Sequence, residues 1–161
     1  MKIDIKIKDQ SALRALNLLV RRGDDLSPAM QAIAGVLADN IEEAFQSEQS
    51  PEGSVWSPLS DTTIKRRVKF SYWPGQKLQQ TGRLANSITS SFGRDYAIAG
   101  TNVIYAATHQ FGAKKGSFGS DRHGRPIPWG DIPARPFLGL SDEGIHEIEK
   151  IIARFIGAPP A

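Results

Sequence analysis

The sequence contains no cysteine. That excludes disulfide stapling and any thiolate-bound metal, and it is compatible with folding in a reducing cytoplasm. Histidine is scarce too: His109, His123 and His146 are spaced too irregularly for a helical metal-binding pair. No apolar run reaches the roughly 18 residues that a bilayer span needs. The opening Met1-Lys-Ile-Asp-Ile-Lys-Ile-Lys8 alternates charge with isoleucine, so it lacks the apolar centre of a signal peptide and implies no secretion. Carboxylates thin out across the middle, where Asp61, Asp95, Asp121 and Asp131 are far apart and suggest neither a Mg²⁺ nuclease nor a glycosidase pair. Between Gly112 and Gly130 glycine and lysine occur without the spacing of a phosphate-binding loop. His109 has no nearby carboxylate in sequence to orient it as a general base, and reads as a hydrogen-bonded structural histidine. No catalytic residue, cofactor or metal is expected.

What is present is one domain's worth of chain, 161 residues, with a net charge of +3. The positive surplus lies in the middle, while both ends are mildly acidic. Two basic clusters stand out: Lys65-Arg66-Arg67 with Lys69, and Lys114, Lys115, Arg122 and Arg125. Phe70, Tyr72, Trp73, Phe118 and Trp129 interleave with them. Such clusters suit an acidic protein surface or a nucleic-acid backbone, and charge alone does not choose between these.

Period-two alternation of Ile3, Ile5 and Ile7 predicts a half-buried strand, and Leu13, Leu16, Leu19 and Val20 predict a helix over 11–22 ending at Gly23. Ser27 is a candidate cap for a longer helix with Pro28 at its start. Its apolar stripe is Met30, Ile33, Ala34, Leu37, Ile41, Ala44 and Phe45. Asp39, Glu42 and Glu43 on that helix form a solvated face or an acidic patch for a basic partner. A polar loop over 46–57 closes at Trp56, expected to plug the loop onto the core. Ser60 would cap a short helix to Phe70 carrying Ile64 and Val68, and Thr81 a brief turn with Leu84 facing inward. Residues 88–92 and 96–100 predict a hairpin about Gly93-Arg94-Asp95, and 105–111 a short helix stopped by Gly112. Residues 113–131 hold four glycines, two prolines and four Lys or Arg without a hydrophobic period, and read as a long mobile loop of the kind that binds or orders in an assembly. Residues 137–140 predict a short strand. Ser141 should cap a last helix that buries Ile145, Ile148, Ile151, Ile152 and Phe155. The expected architecture is a single α+β domain over 1–161, a small antiparallel sheet packed against several helices, with a long basic Gly/Pro-rich loop.

Four blocks punctuate the chain in order: Leu78-Gln-Gln-Thr-Gly-Arg-Leu84, Gly100-Thr-Asn102, Tyr105-Ala-Ala-Thr-His-Gln-Phe-Gly112 and Ile132-Pro-Ala-Arg-Pro-Phe-Leu138. With Trp56 upstream, they resemble the phage virion morphogenesis family, the tail-completion and head-to-tail joining proteins of Mu-like and related contractile-tailed phages. The residues carrying the resemblance are Trp56, Leu78, Thr81, Gly82, Leu84, Gly100, Thr101, Asn102, Tyr105, His109, Phe111, Gly112, Pro133, Arg135, Pro136 and Phe137. The resemblance implies a non-enzymatic assembly protein at the tail end or neck of a virion, assembled in the bacterial cytoplasm. It implies tail-tube or neck proteins as partners, with incidental DNA contact and no membrane. A protein of this size could serve a tubular tail as a ring-forming homo-oligomer. Pro133 and Pro136 bracket Arg135, which would offer a rigid guanidinium either within the domain or to a neighbouring subunit. The interface candidates are therefore Lys65, Arg66, Arg67, Lys69, Lys114, Lys115, Arg122, Arg125 and Arg135.

Overall fold

The computed structural model describes Gly23 and residues 25–157. The strand expected over residues 3–7 and the helix expected over 11–22 lie outside them. Within them the order is α1 (Ser27–Ser47), α2 (Asp61–Lys69), a 3₁₀ turn (Ala85–Ser87), β1 (Thr89–Phe92), β2 (Ala97–Gly100), α3 (Ala106–Phe111) and α4 (Asp142–Gly157). β1 and β2 form an antiparallel hairpin in which Thr89 pairs Gly100 and Phe92 pairs Ala97. Both strands and α4 pack on α1. The α+β class holds.

Helix α1 organises the core because its stripe of Ile33, Ala34, Ile41, Ala44 and Phe45 is buried. Its N-cap is Leu26 rather than Ser27, which already lies in the helix; the Asp25 carboxylate accepts from the Ser27 backbone N–H (3.0 Å). Hydrogen bonding from the Ser27 side chain, then from its backbone N–H, holds Asp25 below the usual carboxylate range. Phe45 meets Trp56 edge to face at 5.8 Å and Phe137 at 5.2 Å, and Leu84 and Ala106 complete this centre. The Trp56 indole N–H donates to Pro136 O (2.7 Å), so the ring satisfies its one donor while burying its area.

Two further expectations change. Residues 137–140 form no strand, because Gln110 takes over the backbone groups a neighbouring strand would pair: Oε1 accepts from the N–H of Phe137 and Leu138 (3.0 Å each), and Nε2 donates to Leu138 O (2.9 Å). On α4, Ile145 and Ile152 stay 43% and 41% exposed. The close approach to α1 is made instead by Gly144, whose missing side chain leaves room for Asn40. Asn40, buried on α1, accepts from both the N–H and the Oγ–H of Ser141 (2.8 Å each), while Ser141 Oγ caps Gly144 N–H (3.0 Å). Residues 113–132 fold back on themselves: Ala113 and Ile132 exchange backbone bonds, Phe118 pairs with Ile127, and Asp121 takes the N–H groups of His123 and Arg125. Local hydrogen bonds rather than apolar periodicity shape this segment. Ser60 caps α2 and Gly112, at φ 74°, stops α3, as the sequence predicts.

Candidate interaction surfaces and a two-arginine pocket

Two of the candidate interface arginines point inward. Arg135 is 5% exposed and donates from Nε to Ser57 O (3.0 Å) and from Nη2 to Pro58 O (2.9 Å). Its own N–H donates to His109 O (2.7 Å). The guanidinium thus ties the 132–138 segment to the chain just after Trp56, which realises the intramolecular role. Arg67 is 4% exposed, and its Nη1 donates to Gln76 O (2.8 Å) and, less closely, Gly75 O (3.4 Å). On α2 the residue turned inward is Arg67, while Val68 faces solvent, which reverses the expectation from apolar spacing. The helix is short, and a long side chain that can satisfy bare carbonyls fits there better than valine.

The two arginines line one cavity of about 680 Å³, shared with Leu59, Thr63, Leu78, Leu84, Tyr105, His109, Ile132 and Pro133. Burial, then the neighbouring Arg67 charge, lowers the affinity of Arg135 for its proton, an effect that Glu48 partly offsets. Glu48 ends α1 in a left-handed conformation (φ 56°) and takes both the backbone N–H and the ammonium (2.8 Å) of Lys77. Burial pushes the Glu48 carboxyl up, but the Lys77 contacts and the Arg67 charge outweigh it, and the net shift is downward. His109 is also pushed down, by burial first and then by Arg135. The expected hydrogen bond to its Nδ1 is missing, since that atom is buried without a partner, and the ring lies edge to face with Tyr105 at 5.8 Å. An imidazole held neutral between an arginine and apolar walls lacks the carboxylate that orients a general base.

The remaining basic candidates face solvent. Lys65, Arg66 and Lys69 are exposed on α2, beside exposed Phe70, Tyr72 and Trp73. Lys114, Lys115, Arg122 and Arg125 are exposed along the 113–131 excursion; Lys114 pairs with Asp131 (3.4 Å), Arg125 with Asp121 (3.1 Å), and Arg125 also lies over the Trp129 ring at 5.9 Å. Asp39, Glu42 and Glu43 are exposed on α1. Among the other motif residues, Thr101 Oγ1 bonds Ser87 Oγ (2.6 Å) and caps Val103 N–H (3.1 Å), Gly82 takes a positive φ (69°), and Gly100 closes β2. Thr81 serves only a long 3.5 Å contact from Arg83 N–H, and the turn begins after Leu84 instead. Asn102 is exposed, and Phe111, 78% exposed, presents its ring to solvent instead of joining the core. Gln110, Asn40, Glu48 and Lys77 carry much of this framework without forming a recognisable pattern in the sequence. Among the described residues no cluster of three or more His, Asp or Glu converges as a metal site, and no helix is long and apolar enough to cross a membrane.

Known proteins provide an independent comparison. The model of the phage virion morphogenesis family matches residues 7–156. Protein G of Escherichia phage Mu, named for a proposed capsid-assembly role, is 35% identical over 157 residues, covering 97% of this chain and 92% of its own. Two Mu-like prophage FluMu G proteins of Haemophilus influenzae are 35% and 34% identical, over 76% and 91% of this chain and 73% and 90% of theirs. No solved structure matches. With a family match across nearly the whole chain and relatives of this identity, the chain belongs to the phage virion morphogenesis family.

Proposed function

We propose that the protein is a non-enzymatic assembly component that completes the tail of a bacteriophage or prophage virion, acting at the tail end or neck so that the tail can join the head. The observation that carries this reading is the contrast between interior and surface. Arg67, Arg135, Trp56 and Gln110 are spent on bracing the chain, whereas Phe111, Trp129, Phe118 and the cations of α2 and of the 113–131 excursion are displayed. Exposed aromatics beside cations favour docking on a protein face with negative charge. Acidic Asp39, Glu42 and Glu43 on α1 give this chain such a face of its own, which supports a head-to-tail ring of copies with cyclic closure. Light scattering over a concentration series, alone and with tail-tube protein, tests this: self-association or co-assembly is expected, and a strict monomer indifferent to tail proteins contradicts it.

A second reading, direct DNA contact, is favoured by Lys65, Arg66 and Lys69 lying beside exposed Phe70, Tyr72 and Trp73. It requires duplex affinity that falls steeply with added salt. Docking on protein alone requires no measurable duplex affinity at physiological salt.

A further inference from the structure

The two-arginine pocket holds more positive charge than the described residues neutralise. Neither Arg67 nor Arg135 has a carboxylate at ion-pair distance: Glu48 is engaged by Lys77, and Asp131 at the rim is engaged by Lys114 and by the Lys115 N–H. Their donors are also incompletely used. Arg67 Nε is buried without a partner, and the carbonyl bonds occupy Nη1 of Arg67 and Nε and Nη2 of Arg135. Each guanidinium therefore keeps one terminal nitrogen without a carbonyl partner. Two recessed cations on one cavity wall are costly unless an anion joins them, and a planar guanidinium edge matches the two oxygens of a carboxylate.

We propose that this pocket docks an aspartate or glutamate side chain carried on an extended segment of a partner protein, its carboxylate meeting Arg67 and Arg135 and its aliphatic neighbours lying on Leu59, Ile132 and Pro133. A recess of this volume walled by leucine, isoleucine, tyrosine and proline accepts a side chain, whereas the phosphates of a duplex lie on a convex cylinder and do not reach recessed guanidiniums. The inference rests on the assembly reading, because it supplies that reading with a specific anchor. It adds a desolvated charge pair to the contact that the exposed cations make, whose own pairs are screened.

The test is an NMR titration of the full chain with the capped peptide acetyl-Leu-Glu-Leu-amide, its Gln counterpart, and inorganic phosphate, following the arginine Nε–H and the His109 ring signals. The Glu peptide is expected to give saturable shifts at Arg67, Arg135 and His109, and the Gln peptide to bind at least about tenfold more weakly. Gln80→Glu, an exposed change on the pocket lining, should weaken the Glu peptide similarly by supplying a competing carboxylate without disturbing the core. Equal shifts from the Glu and Gln peptides, phosphate binding as tightly as the Glu peptide, or no saturation by about 10 mM overturns the proposal. A null titration beside normal assembly in the scattering experiment sinks the pocket alone. A positive titration beside a strict monomer that ignores tail proteins sinks the assembly reading instead.

Discussion

Arg135 illustrates how a residue that reads as an interface cation becomes a brace. Pro133 and Pro136 hold its backbone, and the fork spans to Ser57 O and Pro58 O, two acceptors that would otherwise be left bare next to the buried Trp56. Arg135→Ala should cost about 2–4 kcal/mol of unfolding free energy in urea melts. Arg135→Lys should recover less than half, since a single ammonium cannot reproduce both bonds. His109 makes a second residue-scale prediction. Because burial and Arg135 lower its pKa in the folded protein, the unfolded state takes up the proton first. Its share of stability is complete above the unfolded pKa, near 6.5, and is lost as pH falls from there to the lower folded value. His109→Gln should flatten that part of a pH–stability profile; an unchanged slope would show that the ring is not held neutral. Neither role was legible beforehand. A histidine missing its carboxylate reads as hydrogen-bonded and structural, and Arg135 fits both an internal and an external role.

At the scale of elements, the joint between α1 and α4 depends on an absence of side chain. A Cβ at residue 144 would come within 2.6 Å of the Asn40 amide, which is itself fixed by Ser141 and by Val36 O. Gly144→Ala should therefore destabilise by about 1–3 kcal/mol in thermal or urea melts, despite the usual gain from alanine in a helix. At Gly112 the φ of 74° and a would-be Cβ 2.8 Å from Ile132 O make any side chain costly for the same reason. The hairpin, the cap at Ser60, the stop at Gly112 and the stripe of α1 were all readable, because each is encoded by neighbours within a turn or two. What sequence periodicity misassigned were positions decided by partners far along the chain. Gln110 replaced a strand at 137–140, Asn40 drew the buried side of α4 toward Gly144, and bare carbonyls at residues 75 and 76 turned Arg67 inward in place of Val68. Glu48 and Lys77, 29 residues apart, leave no local signature at all.

The whole molecule combines a braced interior with a displayed surface. Reversing Lys114, Lys115, Arg122 and Arg125 to glutamate together should leave the melting midpoint within a few degrees, because these side chains are exposed and their ion pairs are weak. The same variant should lose self-association and co-assembly in sedimentation velocity runs. The most direct measurement is electron microscopy of lysates from the encoding phage or prophage with this gene removed and supplied back in variant form. Separate heads and tails are expected in its absence, restored joining with the wild-type chain, and no joining with the four-site reversal. Joined virions without the gene, or joining restored by the four-site reversal, would contradict an assembling role.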